Sequence, residues 1–142
     1  MGPSEGGTAT LMAVHPTFAL SAPAEAASVP ILRREVVGYL TGIDACTGRT
    51  EDVRLAVSEA LSNAVIHAYR DREAPGDLEV SALMHDDTLE VVVRDDGDGM
   101  APRHDSPGLG LGLPVIAHTT DRYEVHRAAG STGTEVRMCF DC

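Results

Sequence analysis

At 142 residues, 43% of them apolar, the chain has the length of one globular domain able to bury a core, and a second domain is not expected. A formal net charge of -11 with a pI near 4.8 argues against binding nucleic acid through its phosphates, because no Lys/Arg cluster is present to displace counterions. An acidic surface suits a basic partner or a metal-chelated anion instead.

No stretch reaches the roughly 18 apolar residues of a membrane-spanning helix, and the N-terminus lacks the charged and apolar regions of a signal peptide. A cytoplasmic location with no membrane partner is therefore expected. Residues 1–7, "MGPSEGG", read as a flexible lead, and residues 8–142 as a single domain. Thr8 to Val14 and Thr17 to Leu20 fit edge strands, and "SAPAEAASVP" punctuates the chain before a helix. Ser28 is a candidate N-cap for Val29 to Leu40, where Ile31, Leu32, Val36, Val37, Tyr39 and Leu40 follow helical spacing and Gly42 closes the helix. Arg33 and Arg34 beside its apolar face form a candidate partner surface.

Thr50 can cap the next helix, with Glu51 and Asp52 in the first turn where the dipole favours anions, and the pattern carries on to about Tyr69 before "DREAPGD" breaks it. Leu78 to Met84 and Thr88 to Arg94 read as an antiparallel hairpin around "HDD". A glycine-rich segment leads to a short helix, Leu113 to Thr119. Strands Tyr123 to Arg127 and Thr134 to Phe140 then flank "AAGSTG". This order implies an α+β fold: a two-layer sandwich with helices on one face of a mixed, mostly antiparallel sheet. The three cysteines include Cys139 and Cys142 in "CFDC", too little for a closed zinc site, and free thiols are the plainer expectation.

Three segments carry chemistry. In "VSEALSNAVIHAY", Val53, Val57, Ala60, Ala64 and Ala68 form one apolar arc at about 100° per residue, with Leu55 and Ile66 well round the helix from it. Glu59, Asn63 and His67 run between these regions, at the rim of the core, where a carboxylate needs a partner or a task. A carboxylate and a carboxamide one turn apart can accept a proton and ligate Mg²⁺, or can form a hydrogen-bonded structural stripe. In "TLEVVVRDDGDGM", strand alternation puts Leu89, Val91, Val93 and Asp95 on one inward face, and Gly97 and Gly99 let a backbone pass close to a flat ligand. A calcium loop fails on spacing, since Met100 holds the third acidic position. In "SPGLGLGLPVI", Gly108, Gly110 and Gly112 before a helix expose backbone N–H groups suited to phosphate.

In this order the segments resemble the ATP-binding domain shared by gyrase B, MutL, histidine kinases and a heat-shock chaperone family. Glu59-x-x-x-Asn63 looks like the family's N box, Asp95-x-Gly97-x-Gly99 its adenine box, Gly110-Leu111-Gly112 its phosphate-lid box and Gly133-Thr134 its final box. Within the family, "SEALSNAVIHAY" is most similar to bacterial anti-sigma factor serine kinases. The resemblance implies the histidine kinase-like ATP-binding fold and ATP with Mg²⁺ as cofactors. The implied pocket draws on Asn63, His67, Asp95, Gly97, Gly99, Met100, Gly108, Leu109, Gly110, Leu111, Gly112, Leu113 and Thr134. It also implies Asp95 on the adenine amine, Asn63 on the metal and Glu59 as general base toward a serine or water.

The partners the resemblance implies are a sigma factor and an anti-sigma factor antagonist, with a homodimer as the assembly. Two departures bear on catalysis. "APRHDSP" is short for a lid, and Gly108 stands where such kinases can offer a basic residue to the phosphates, with Arg103 or His104 as substitutes. Three readings stay open: a serine kinase, a nucleotide-dependent binding module with little or no kinase activity, and a stand-alone histidine kinase-like ATPase domain.

Overall fold

A computed structural model describes residues 17–68, 75–97, 113–128 and 132–142. Strand β1 (Phe18–Pro23) leads through a turn into helix α1 (Ser28–Gly42), and a short 3-10 turn (Thr47–Arg49) enters helix α2 (Thr50–Asn63). Strands β2 (Asp77–His85) and β3 (Thr88–Asp95) form a hairpin. Helix α3 (Leu113–Thr119), edge strand β4 (Arg122–Arg127) and strand β5 (Thr134–Asp141) follow. The sheet order is β1-β2-β3-β5-β4, and every described pairing is antiparallel. No helix among the described residues is long and apolar enough to cross a membrane.

Alternation along the strands builds the core. Leu78, Val80, Ala82 and Met84 of β2, Leu89, Val91 and Val93 of β3, and Val136, Met138 and Phe140 of β5 all point to one face and are buried under the helices. From the helices come Val29, Leu32, Val36 and Leu40 of α1 and Val53, Ala56, Val57, Ala60 and Leu61 of α2. The result is the two-layer α+β sandwich expected. The other sheet face carries charges instead of helices: Arg94 pairs with Glu79 and Glu135, and Arg137 with Glu90 and Glu135.

Four local expectations give way. β1 extends to Pro23, because pairing with β2 continues to Asp77 and a proline ending an edge strand leaves no ladder bond unmade. Ser28 lies inside α1 and does not cap it. The amides of Ser28 and Val29 already bond the carbonyls of Glu25 and Ala26, so a preceding turn does the capping. At the other end Gly42 is the last helical residue, as expected, and a left-handed turn follows at Asp44, φ 52°. Thr50 is likewise not a cap: its hydroxyl donates to the Thr47 carbonyl. The free-thiol expectation is also corrected. Cys46 and Cys142 form a disulfide, with only Cys139 free, because the end of β5 returns to the loop after α1. The predicted strand Thr8 to Val14 lies outside the described residues.

Candidate functional site

The α2 helix supplies the first wall. Its α-helical hydrogen bonding ends at Asn63, and Ala64–Ala68 forms a wider π turn, so the helix predicted to reach Tyr69 changes pitch at the residue of interest. Asn63 is 8% exposed and Glu59, one turn earlier, is half-buried. The stripe is therefore recessed as predicted, but against the core on one side only. Leu55 and Ile66 are 44% and 59% exposed, so the second apolar region is surface. The π turn also ends the simple spacing of four that aligned His67 with Asn63, and the His67 side chain lies outside the described residues.

The second wall is the end of β3, which packs against that π turn. Asp95 closes the inward row Leu89, Val91, Val93 and is only 3% exposed, as the alternation required. A carboxylate this buried must be bonded. One of its oxygens, Oδ1, accepts the amide of Gly97 at 2.9 Å and that of Thr134 at 3.3 Å. The first contact folds the chain back on itself just after the strand; the second ties it to the start of β5.

Thr132, which sequence reasoning did not single out, and Gly133, assigned there to the family's final box, complete this corner. The Thr132 hydroxyl donates to the Gly97 carbonyl at 2.8 Å. Gly133 runs so close to β3 that a Cβ there would sit 1.8 Å from the Asp95 carbonyl oxygen. "STGT" marked a turn, but nothing local in it showed that the turn presses on Asp95. Asp95, Gly97 and Thr134 are thus brought together, and Asn63 is the last residue of α2, directly before the π turn that β3 packs against. Leu113 begins α3, while Gly99, Met100, Gly108, Leu109, Gly110, Leu111 and Gly112 lie outside the described residues. Two shallow surface depressions lie elsewhere, on the charged sheet face around Glu90 and Arg137.

On the candidate partner surface, Arg33 is half-buried and donates to the Ser58 hydroxyl of α2 at 3.1 Å; only Arg34 of the pair is exposed. The expected pair of solvent-facing arginines is thus a single one.

Residues 22–140 match the histidine kinase-like ATPase domain family. The chain is 34% identical over 128 residues to the serine-protein kinase RsbW of Bacillus licheniformis, covering 80% of each chain. It is 30% identical over 125 residues to RsbW of Staphylococcus epidermidis, covering 78% of this chain and 79% of the relative. Among solved structures, a crystal structure of the RsbU and RsbW domains of a Mycobacterium tuberculosis protein superposes with a TM-score of 0.69 at 22% identity, over 89% of this chain and 32% of that one. That likeness shows the shared fold.

Proposed function

The chain belongs to the histidine kinase-like ATPase domain family, and on that premise we propose that it is an ATP-binding serine-protein kinase and anti-sigma regulator. It acts in the cytoplasm on a small antagonist protein and a sigma factor. The observation that carries the reading is the Asp95 corner, a carboxylate 3% exposed, tethered by two backbone amides and beside a glycine turn. Such a group suits the exocyclic amine and flat face of adenine, since a fixed acceptor beside an open backbone selects a planar donor.

The residues present fit a magnesium nucleotide. Asn63 offers an oxygen donor of the hard kind Mg²⁺ prefers, and Mg²⁺ needs few protein ligands when waters and phosphates supply the rest. Bound there, Mg-ATP supplies the transferable phosphoryl group and the charge that neutralises it. Asn63 would hold the ion, Asp95 would orient the base, and Glu59 would take the proton from the acceptor serine hydroxyl. The relatives named RsbW are serine-protein kinases, which supports a serine acceptor. The exposed Arg34 face of α1 is the surface proposed for the sigma factor, and a homodimer is the assembly proposed.

The test is Glu59→Gln. ATP affinity stays near wild type, while labelling of the antagonist serine falls by about 10²- to 10⁴-fold, the ordinary worth of a positioned proton acceptor. Asn63→Ala loses Mg-ATP affinity instead. Equal background labelling by wild type and Glu59→Gln at matched nucleotide occupancy would overturn kinase activity. A nucleotide-dependent binder would remain, the reading favoured by the short stretch between Gly99 and Gly108.

A further inference from the structure

Cys46 and Cys142, 96 positions apart, are joined as a disulfide with Cα atoms 4.9 Å apart, within the usual span of such a link. The bond fastens the loop that precedes α2 to the residue that follows β5. From this point α2 runs from Thr50 to Asn63, and β5 runs back from Asp141 to Thr134. The two elements that carry Asn63 and Thr134 are therefore tied together at their opposite ends.

The tied loop holds an uncommon backbone. Asp44 and Cys46 sit at φ 52° and 54°, a region that residues other than glycine keep only when their surroundings impose it. Cys46 is buried and Cys142 exposed, so Cys142 is the more accessible half of the pair and Cys46 the natural leaving group. In a glutathione-rich compartment, an exposed disulfide of this kind is a sensing bond more often than a permanent one.

We propose that Cys46–Cys142 is a reversible thiol–disulfide clasp that exchanges with glutathione-class thiols at the Cys142 sulfur and thereby sets the spacing of the nucleotide site. The proposal rests on the ATP-site reading above. In reduction, a small thiolate attacks Cys142 Sγ and forms a mixed disulfide, and the electron pair of the broken S–S bond leaves on Cys46 Sγ, which takes up a proton. A second small thiol then frees Cys142 as a thiol and departs as the small-molecule disulfide. Oxidation runs the same exchange backwards with glutathione disulfide as oxidant. Opening the clasp lets Cys46 return to negative φ, while Arg49 keeps its bonds to Asp121, Thr119 and Asp141. Cys139 stands apart on the charged sheet face, where burial pushes its thiol up and so keeps it protonated and unreactive.

The experiment equilibrates the chain in reduced glutathione and in glutathione disulfide. It then counts alkylatable thiols, melting temperature, amide exchange at Asn63 and Thr134, and affinity for a fluorescent Mg-ATP analogue. Three thiols are expected in the reduced form and one in the oxidised form. The reduced form should melt about 10 °C or more lower, as expected for opening a loop of this length. It should also exchange faster at both amides and bind nucleotide about fivefold or more weakly, the lower end of ordinary coupling between sites. Cys142→Ser shows two thiols and the reduced form's exchange and affinity in both buffers; Cys139→Ser switches as wild type does, with two thiols reduced and none oxidised. Three thiols persisting in excess glutathione disulfide would overturn the proposal. So would redox-independent amide exchange, or measurable nucleotide binding of equal affinity in the two states. Redox-dependent exchange in a chain that binds no nucleotide in either state upholds the clasp and overturns the ATP reading.

Discussion

At Gly133 a single missing Cβ decides whether the Asp95 corner can close. An alanine there would meet the Asp95 carbonyl oxygen at 1.8 Å and the Asp96 Cα at 2.9 Å, both backbone atoms that cannot swing aside. Gly133→Ala should therefore cost about 1–3 kcal/mol and lower the melting temperature by several degrees. Gly38, inside α1 with nothing within 4 Å of the place a Cβ would occupy, should respond in the opposite direction. Gly38→Ala is expected to stabilise by about 0.5–1 kcal/mol, since it trades backbone freedom for helix preference. Thermal melts of the two variants against wild type check the contrast, and equal shifts would sink it. Asp95 was legible because strand alternation alone turns it inward. Gly133 was legible as part of the family's final box, but its pressure on Asp95 was not, since that close approach depends on β5 pairing with a strand some forty residues earlier. His67 was placed by carrying a straight α-helix past Asn63, and the π turn breaks that extrapolation.

Among the elements, the junction of α2, α3 and β5 depends on Arg49. Its guanidinium donates to Asp52 at 3.0 Å, Asp121 at 2.8 Å, the Thr119 carbonyl at 3.0 Å and the Asp141 carbonyl at 2.7 Å, and it lies over the Phe140 ring. The bond to Thr119 places a cation at the last residue of α3, where the helix dipole favours one. Isolated surface ion pairs contribute little. Arg49 differs because one planar fork joins three elements, and losing it removes this donor from two carbonyls and from Asp52, while Asp121 keeps the Asp141 amide. Arg49→Ala should lower stability by about 2 kcal/mol in urea unfolding, and Arg49→Lys should recover little of it, because an ammonium cannot span four acceptors. Full recovery by lysine would show that charge alone mattered. The elements themselves were largely readable: the β2–β3 hairpin, α3 and β5 fall within a residue or so of their expected bounds, since alternation and helical spacing are local signals. Arg49 carried no such signal, as its acceptors lie up to 92 positions away.

For the molecule as a whole, acidity and topology set different limits. Glu135 is held below the usual carboxylate range first by the Arg94 guanidinium, against the opposing effect of burial, and then by Arg137. Asp121 is lowered first by the Asp141 amide and then by Arg49, and Asp141 first by Arg122. A carboxyl with a lowered folded value binds its proton more readily once unfolded. These groups therefore add stability that is complete above their ordinary values of 4.5 and 3.8 and is lost as pH falls through the lowered ones. Denaturant midpoints should accordingly drop below about pH 5, and Glu135→Gln should flatten that limb while lowering stability at neutral pH. An unchanged acid limb would remove Glu135 from the account. The strand order β1-β2-β3-β5-β4 has a consequence during synthesis. The β2–β3 hairpin can form as soon as it is made, but the far edge of β3 stays unpaired until Thr134–Asp141 have been translated, because the strand made before β5 docks outside it. A half-made chain on the ribosome thus presents a bare, valine-rich edge at Val91, Val92 and Val93. Chaperone capture or neighbour-to-neighbour aggregation of nascent chains should concentrate there until β5 arrives.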